Sequence, residues 1–96
     1  MRDRIPEIIS ANGKRCEVRV LDGQEYLESL KEKLSEELQE YLQSGAISEL
    51  ADLVEVVYAI LEHERVPLRD FERLRLAKRQ ERGGFEQRLF LASVSE

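Results

Sequence analysis

Apolar residues at helical spacing predict the first long element of the chain. We expect a helix to begin at Asp22, where Glu25 three residues later completes a capping-box-like pattern, and to run to about Gln43 before Gly45 ends it. The apolar stripe of this helix recurs every three or four positions, at Leu27, Leu30, Leu34, Leu38 and Tyr41. That period predicts a helix with one side packed on a core and the other side in water.

A second predicted helix is apolar on nearly every side. We expect a simple cap at Ser48 and an end near Glu64, before Val66-Pro67. The apolar positions of this helix are Ile47, Leu50, Ala51, Leu53, Val54, Val56, Val57, Tyr58, Ala59, Ile60 and Leu61. A helix of this kind is buried, here by a partner chain as well as by its own. The break at Ser44-Gly45 predicts that the two helices form an antiparallel hairpin.

Shorter patterns flank this hairpin. Residues 1–13 predict a short helix, and residues 68–82 predict a third long helix. Apolar and polar residues alternate over residues 14–21, which predicts a half-buried strand whose one good partner is residues 88–92, in this chain or in another copy. The expected fold class is therefore mainly α. It is one domain over residues 1–96, a helical hairpin or bundle with short N- and C-terminal β-strands.

Composition narrows the class of protein further. The chain has 96 residues, of which 42% are hydrophobic and 36% charged, as expected for one small, soluble helical domain. No apolar run approaches the roughly 20 residues of a membrane span. We expect no signal peptide, because charged residues follow Met1 directly. A single cysteine, Cys16, forms no internal disulfide, so we expect a cytoplasmic protein.

Charge is distributed unevenly along the chain. The net charge of −5 disfavours general binding of nucleic acid, which depends on a basic surface. Residues 24–64 are strongly acidic, whereas residues 65–88 are rich in arginine. An acidic cleft faced by a basic segment suits a metal–nucleotide complex. Charge balance between neighbouring helices explains the same distribution equally well.

Two acidic pairs lie on either side of the predicted turn. Glu37 and Glu40 are three residues apart, as are Glu49 and Asp52, so each pair occupies one helical face and the hairpin can bring both to one cleft. The pattern places the first pair at the border of the core rather than in it, and points Glu36 towards water. Converging carboxylates repel each other unless a hard cation such as Mg²⁺ binds them. With 20 acidic residues in the chain, however, chance spacings of this kind are common, and most are solvated faces.

These acidic residues resemble a known metal signature. Glu36-Glu37-x-x-Glu40 followed by Glu49-x-x-Asp52 resembles that of the all-α nucleoside triphosphate pyrophosphohydrolases, most closely the short, single-domain MazG-like members. Four further segments fit the same family and extend the resemblance over nearly the whole chain: residues 2–9, Lys33-Leu34, Leu50-Ala51-Asp52-Leu53 and Arg82-Gly83-Gly84-Phe85.

Two features depart from that family. Only eight residues separate Glu40 from Glu49, so we expect a tighter turn that shifts the second acidic pair by about one helical turn relative to the first. Family members carry a few more residues before the position of Met1, so we expect a short N-terminal stretch to be missing or to start differently.

The resemblance implies an enzyme that uses Mg²⁺, or Mn²⁺ as the alternative, to hydrolyse a nucleoside triphosphate or related nucleotide to the monophosphate and pyrophosphate. Such an enzyme would clean the nucleotide pool. The implied metal ligands are Glu37, Glu40, Glu49 and Asp52. The implied catalytic residues are Glu36, which would orient the attacking water, and Glu37. The residues implied to hold the phosphates are Lys33, Lys78 and Arg82.

Two other functions stay open. One is phosphoribosyl-ATP pyrophosphohydrolase, ranked lower because the N-terminal strand and the Arg-Gly-Gly-Phe segment fit MazG-like proteins better. The other is a non-catalytic helical interaction module. We expect a homodimer or tetramer that binds a nucleotide, and no membrane or nucleic-acid partner. An apolar wall near Tyr41 or Tyr58 is expected to receive the base, and His63 lies about three helical turns from Asp52, too far to share the site.

Overall fold

Four helices and no strand make up the fold. The computed structural model describes residues 1–96 and places α1 at Ile5–Ala11, α2 at Gly23–Ser44, α3 at Ile47–His63 and α4 at Leu68–Arg82. The prediction of a mainly α fold is therefore confirmed. The first helix covers fewer residues than the predicted 1–13, because the chain already turns at Asn12 and Gly13. None of the helices combines the length and the apolar character needed to cross a membrane.

Local signals in the sequence fix both ends of α2. The backbone N–H of Glu25 donates a hydrogen bond to the Asp22 carboxylate at 2.9 Å, which caps the first turn. At the other end Gly45 adopts a left-handed φ of 66°, and its N–H donates to the Tyr41 carbonyl at 2.7 Å. Glycine takes this conformation without the clash that a Cβ would cause. The predicted start and stop of this helix are confirmed.

The connection from α2 to α3 is shorter than the sequence pattern suggested. α3 begins at Ile47, directly after Ala46, and no side chain caps it. The predicted cap, Ser48, was wrong because Ser48 already lies inside the first helical turn. The Ser44 hydroxyl instead accepts a hydrogen bond from the Ala46 N–H at 3.1 Å, which holds the turn.

An aromatic contact marks the open end of the antiparallel hairpin that α2 and α3 form. The His63 ring packs edge-on against Tyr26, with ring centroids 5.4 Å apart and an interplanar angle of 73°. A helical rise of about 16 Å separates His63 from Asp52. His63 therefore lies far from the acidic pairs, as predicted, and packs the end of α3 against the start of α2.

The hairpin encloses very little core. Val56 is the only apolar side chain that counts as buried, with 8% of its surface exposed. α4 packs against α3 alone. The radius of gyration is 18.1 Å, whereas a compact domain of this length has a value of about 12.5 Å. A single chain therefore leaves most of its apolar side chains in contact with water.

The two predicted strands do not form within the chain. Residues 14–21 and 88–92 have no regular structure, and Val20, expected on the buried face of the first strand, is 95% exposed. Alternation shows only that one face of an extended segment suits burial, whereas a strand also needs a hydrogen-bonded neighbour about 4.8 Å away. Residues 88–92 follow α4, and no backbone hydrogen bond joins them to residues 14–21.

The Asp22 cap gives a testable expectation for stability. Replacing Asp22 with alanine leaves the Glu25 N–H without its acceptor and should lower the melting temperature by about 4–8 °C. Asp22→Asn keeps an acceptor at the same place and should melt within about 2 °C of the parent at neutral pH. Thermal unfolding followed by circular dichroism measures both; an Asp22→Ala variant that melted at the same temperature as the native protein would mean that the cap does not stabilise α2.

Acid should separate the native protein from Asp22→Asn. The hydrogen bond from the Glu25 N–H lowers the pKa of Asp22 below its usual 3.8. The folded state therefore holds this proton less tightly than the unfolded state. The stabilisation is present above pH 3.8 and is lost as the pH falls through the lowered pKa. Asp22→Asn should lack this part of the acid sensitivity.

Candidate metal centre

Three carboxylates from the two long helices meet at one point. One oxygen from each of Glu37, Glu49 and Asp52 lies within 4.8 Å of the other two, and we call these residues the acidic cluster. Glu49 and Asp52 are three residues apart and so face α2 together. The short connection between the helices then places Glu37 opposite them. The structure thus brings together three of the four residues predicted as metal ligands.

Glu37 is the buried member of the cluster. Only 6% of its surface is exposed, which corrects the prediction that it borders the core without lying in it. The helical period placed Glu37 correctly on the flank of the apolar stripe, but the period alone does not show that α3 packs over that flank. Its Oε1 lies 3.3 Å from the Lys33 Nζ, whereas its Oε2 is buried with no hydrogen-bond partner. A buried carboxylate oxygen without a partner is costly, and a bound cation would remove that cost.

Glu40 lies at the exposed edge of the cluster. It is not among the three residues whose oxygens meet, but its carboxyl group adjoins those of Glu37 and Glu49. The neighbouring Glu37 carboxylate raises the pKa of Glu40, because it can accept a hydrogen bond from the protonated form and its negative charge disfavours the ionised form; burial and Glu49 act in the same direction. Glu40, the fourth predicted ligand, is therefore adjacent to the cluster, and its ionised form is repelled by the cluster carboxylates.

Two basic side chains neutralise part of this negative charge. Arg2 reaches across from the N-terminal segment, and its Nη2 lies 2.6 Å from the Oδ1 of Asp52. The Nζ of Lys33 lies 3.3 Å from the Oε1 of Glu37, and this contact, followed by one to Glu36, raises the pKa of Lys33. The pairing of Arg2 with Asp52 spans 50 residues of sequence, so no local pattern indicates it.

Glu36 points away from the cluster. Its side chain is exposed, as the helical period predicted, and its Oε2 lies 3.3 Å from the Nζ of Lys33. The structure therefore shows Glu36 as an ion-pair partner of Lys33. Nothing in its position brings it to the meeting point of the three carboxylates.

Lys78 and Arg82 are not brought to the cluster. Both belong to α4, which contacts α3 alone, at the end where Leu61 and Leu68 line a common groove. Arg82 instead lines a separate surface cavity of about 570 Å³ at the end of α4. Within one chain, the structure does not bring these two residues, which the resemblance implies as phosphate contacts, to the acidic cluster. Their spacing put them on one helical face, but spacing does not determine where that helix docks.

A cavity of about 390 Å³ opens beside the acidic cluster. Arg2 and Lys33, which both contact cluster residues, also line this cavity, and Tyr26 belongs to its wall. Tyr41 and Tyr58, near which an apolar wall was expected to receive the base, do not line this cavity. The sequence did contain a signal for the shared position of Tyr26 and Lys33: they are seven residues apart, which places both on one face of α2.

The raised pKa of Glu40 leads to a pH-dependent stability. Because the folded state holds this proton more tightly than the unfolded state, the stabilisation is complete below pH 4.5 and is lost as the pH rises through the raised pKa. In a metal-free buffer with EDTA, the melting temperature of the native protein should therefore fall as the pH rises over that range. Glu40→Gln cannot titrate and should lack this fall, so at neutral pH it should be more stable than the native protein.

Glu28→Gln is the matched control for this measurement. Glu28 lies on the exposed face of the same helix and makes no ion pair. This variant should keep the fall in melting temperature. If Glu40→Gln behaved as Glu28→Gln does, the repulsion between Glu40 and the cluster would be negligible.

Comparison with known proteins adds no information about these residues. The chain matches no protein-family model, no curated protein and no solved structure. The resemblance to the pyrophosphohydrolases stays a prediction from sequence motifs. The features of the structure that bear on function are the acidic cluster, its basic neighbours and the adjoining cavity.

Proposed function

We propose that the protein hydrolyses a nucleoside triphosphate, or a related nucleotide, to the monophosphate and pyrophosphate with the help of a divalent cation. The observation that supports this most is the buried Glu37 carboxylate, which meets Glu49 and Asp52 with one oxygen left without a partner. The sequence motifs supply the reaction class. In this proposal the enzyme is cytoplasmic and serves to clean the nucleotide pool.

The residues present fit a hard divalent cation. The cluster offers three carboxylate oxygens within 4.8 Å of one another, and oxygen donors are what Mg²⁺ and Mn²⁺ prefer. Glu37, Glu49 and Asp52 would hold the ion, and Glu40 adjoins them as a fourth donor. A cation there would neutralise charge developing on the phosphate oxygens and activate a water molecule.

The basic residues beside the cluster would orient the phosphates. Arg2 and Lys33 line the cavity and contact the cluster, so both stand between the proposed metal and the space for the nucleotide. A guanidinium group can bind phosphate oxygens in pairs, and an ammonium group acts as a point charge. The cavity of about 390 Å³ has the size of small-molecule sites, and Tyr26 offers a ring for contact with a base.

Glu36 has a more limited place in this proposal. It shares Lys33 with Glu37, so it could orient water only after Lys33 released it. Lys78 and Arg82 take no part within one chain. The proposal also includes an assembly of two or four copies, in which residues 14–21 and 88–92 could find strand partners that a single chain does not offer.

Release of pyrophosphate tests the activity directly. A panel of standard and modified nucleoside triphosphates is incubated with Mg²⁺ and the native protein, Asp52→Asn or Asp70→Asn. We expect release by the native protein and a loss of at least about 100-fold in Asp52→Asn, since even partners of metal ligands change activity by about 10–100-fold. Asp70→Asn is the matched control, because Asp70 is an exposed residue of α4.

Two results would contradict the proposal. If the folded native protein released no pyrophosphate from any triphosphate, phosphoribosyl-ATP would be tested next, and failure there would favour the non-catalytic module. If Asp52→Asn kept the native rate, the activity would have to come from another site.

Linkage between metal and stability tests the cation independently of activity. A cation that binds only the folded state should stabilise the native protein by about 2.7 kcal/mol at a concentration a hundred times its Kd. Glu37→Gln should abolish this gain, and Glu36→Gln should keep it, because only Glu37 belongs to the cluster. Thermal unfolding with MgCl₂, against NaCl at equal ionic strength, makes the comparison; a gain in NaCl as large as that in MgCl₂ would rule out a specific site.

A further inference from the structure

One ion pair ties the segment before α1 to the helical hairpin. The Nη2 of Arg2 lies 2.6 Å from the Oδ1 of Asp52, and no other hydrogen bond or ion pair between side chains links residues 1–4 to α2 or α3. Arg4, in the same segment, pairs instead with Glu7 of α1. The side chain of Arg2 is 56% exposed and that of Asp52 is 40% exposed, so water screens the pair and leaves it easy to break.

Asp52 also belongs to the acidic cluster, so Arg2 contacts a group that the proposed cation needs. If the cation bound the other oxygen of Asp52, two positive charges would share one carboxylate and would repel each other. With either oxygen, the contact with Arg2 therefore lowers the affinity of the free protein for a cation.

Lys33 does not undergo the same competition. Its Nζ lies 3.3 Å from an oxygen of Glu37 and 3.3 Å from an oxygen of Glu36, so Lys33 keeps an acceptor when Glu37 binds a cation. The guanidinium group of Arg2 has no acceptor other than Asp52. Once it is released from Asp52, that group lacks a partner until another anion arrives.

The cavity beside the cluster offers a place for that anion. Arg2 and Lys33 both line this cavity of about 390 Å³, where the proposed function places the phosphates of the nucleotide. The contact with Asp52 uses a single nitrogen of Arg2, its Nη2. A guanidinium group can donate to two phosphate oxygens at once, so a phosphate group would be the stronger partner of the two.

We propose that Arg2 exchanges Asp52 for a phosphate group of the bound nucleotide, and that this exchange makes the cation and the nucleotide bind cooperatively. The inference rests on the proposed function and adds to it a means of control. In the free protein Arg2 competes with the cation for Asp52. In the nucleotide-bound protein Arg2 contacts phosphate, and Asp52 is open to the cation. Linkage is reciprocal, so a bound cation strengthens the binding of the nucleotide by the same factor.

Binding of Mn²⁺ alone tests the first half of this exchange. The electron paramagnetic resonance signal of free Mn²⁺ measures how much of the ion the full chain binds, independently of any activity. Arg2→Ala should bind Mn²⁺ about two- to fivefold more tightly than the native protein, because a partly exposed ion pair no longer competes. Arg4→Ala is the matched control, since it removes the same charge from the same segment and leaves the Arg2–Asp52 pair in place. This control should bind Mn²⁺ as the native protein does.

A nucleotide that cannot be hydrolysed tests the second half. Calorimetry measures the affinity of the α,β-methylene analogues of the four standard nucleoside triphosphates, in Mg²⁺ and in EDTA. Arg2→Ala should bind the preferred analogue more weakly than the native protein in Mg²⁺, and its gain from Mg²⁺ over EDTA should be about two- to fivefold smaller. A side chain that only anchored the N-terminal segment would not shift the affinities for cation and nucleotide in opposite directions.

Four results would overturn the proposal. These are an Arg2→Ala variant that binds Mn²⁺ no more tightly than the native protein, an Arg4→Ala variant that binds it as tightly as Arg2→Ala, a native protein that binds none of the analogues, and a gain from Mg²⁺ that Arg2→Ala leaves unchanged. If Arg2→Ala does not fold, Arg2→Gln takes its place, because glutamine keeps much of the side-chain length without the charge.

Failure of the exchange can be told apart from failure of the proposed function. A native protein that bound no more Mn²⁺ than Glu37→Gln would contradict both, because the cluster would then hold no cation. Binding of Mn²⁺ and release of pyrophosphate, with Arg2→Ala unchanged in both affinities, would contradict the exchange alone. Cooperative binding that Arg2→Ala reduces, without release of pyrophosphate, would support the exchange and contradict the hydrolase.

Discussion

The short connection between α2 and α3 determines which residues of the two helices face each other. Gly45 ends α2 in a left-handed conformation, and only Ala46 follows before α3 begins. Two helices joined so closely must run antiparallel and in contact, so the positions that face each other are set by counting outwards from the turn. That count places Glu37 opposite Glu49 and Asp52. The eight-residue spacer, short for the family that the sequence resembles, still allows three of the four acidic residues to meet, and it leaves Glu40 at the edge.

Local features of the fold could be predicted from the sequence, and contacts between distant segments could not. The limits of α2 follow from Asp22 and Gly45, because a cap and a left-handed glycine act within a few residues. The burial of Glu37 depends on how α3 docks, and the Arg2–Asp52 pair depends on where the N-terminal segment returns. The strand predicted at residues 14–21 does not form for a related reason. The alternation of apolar and polar residues describes one segment, whereas a sheet requires two.

The two sides of the hairpin serve opposite physical demands. The side that carries the acidic cluster holds like charges close together, and the raised pKa of Glu40 records the resulting repulsion. The side that carries Val54 and Tyr58 is uncharged and exposes apolar surface. Repulsion at the first side lowers the stability of an isolated chain that already has almost no core. Burial of the apolar surface at the second side would offset that cost, so one pair of helices carries both a source of instability and a means of relieving it.

The contact between Arg2 and Asp52 has a practical consequence for handling the protein. The guanidinium group of Arg2 already neutralises Asp52, so a metal that bound Asp52 would have to displace a side chain of the protein itself. Met1 lines the same cavity, so the segment before α1 lies within reach of the proposed nucleotide. An affinity tag placed in this segment would thus put foreign residues, and any metal-binding histidines among them, beside the carboxylates. A tag placed beyond α4 leaves that entrance clear, because no residue after α4 lines the cavity.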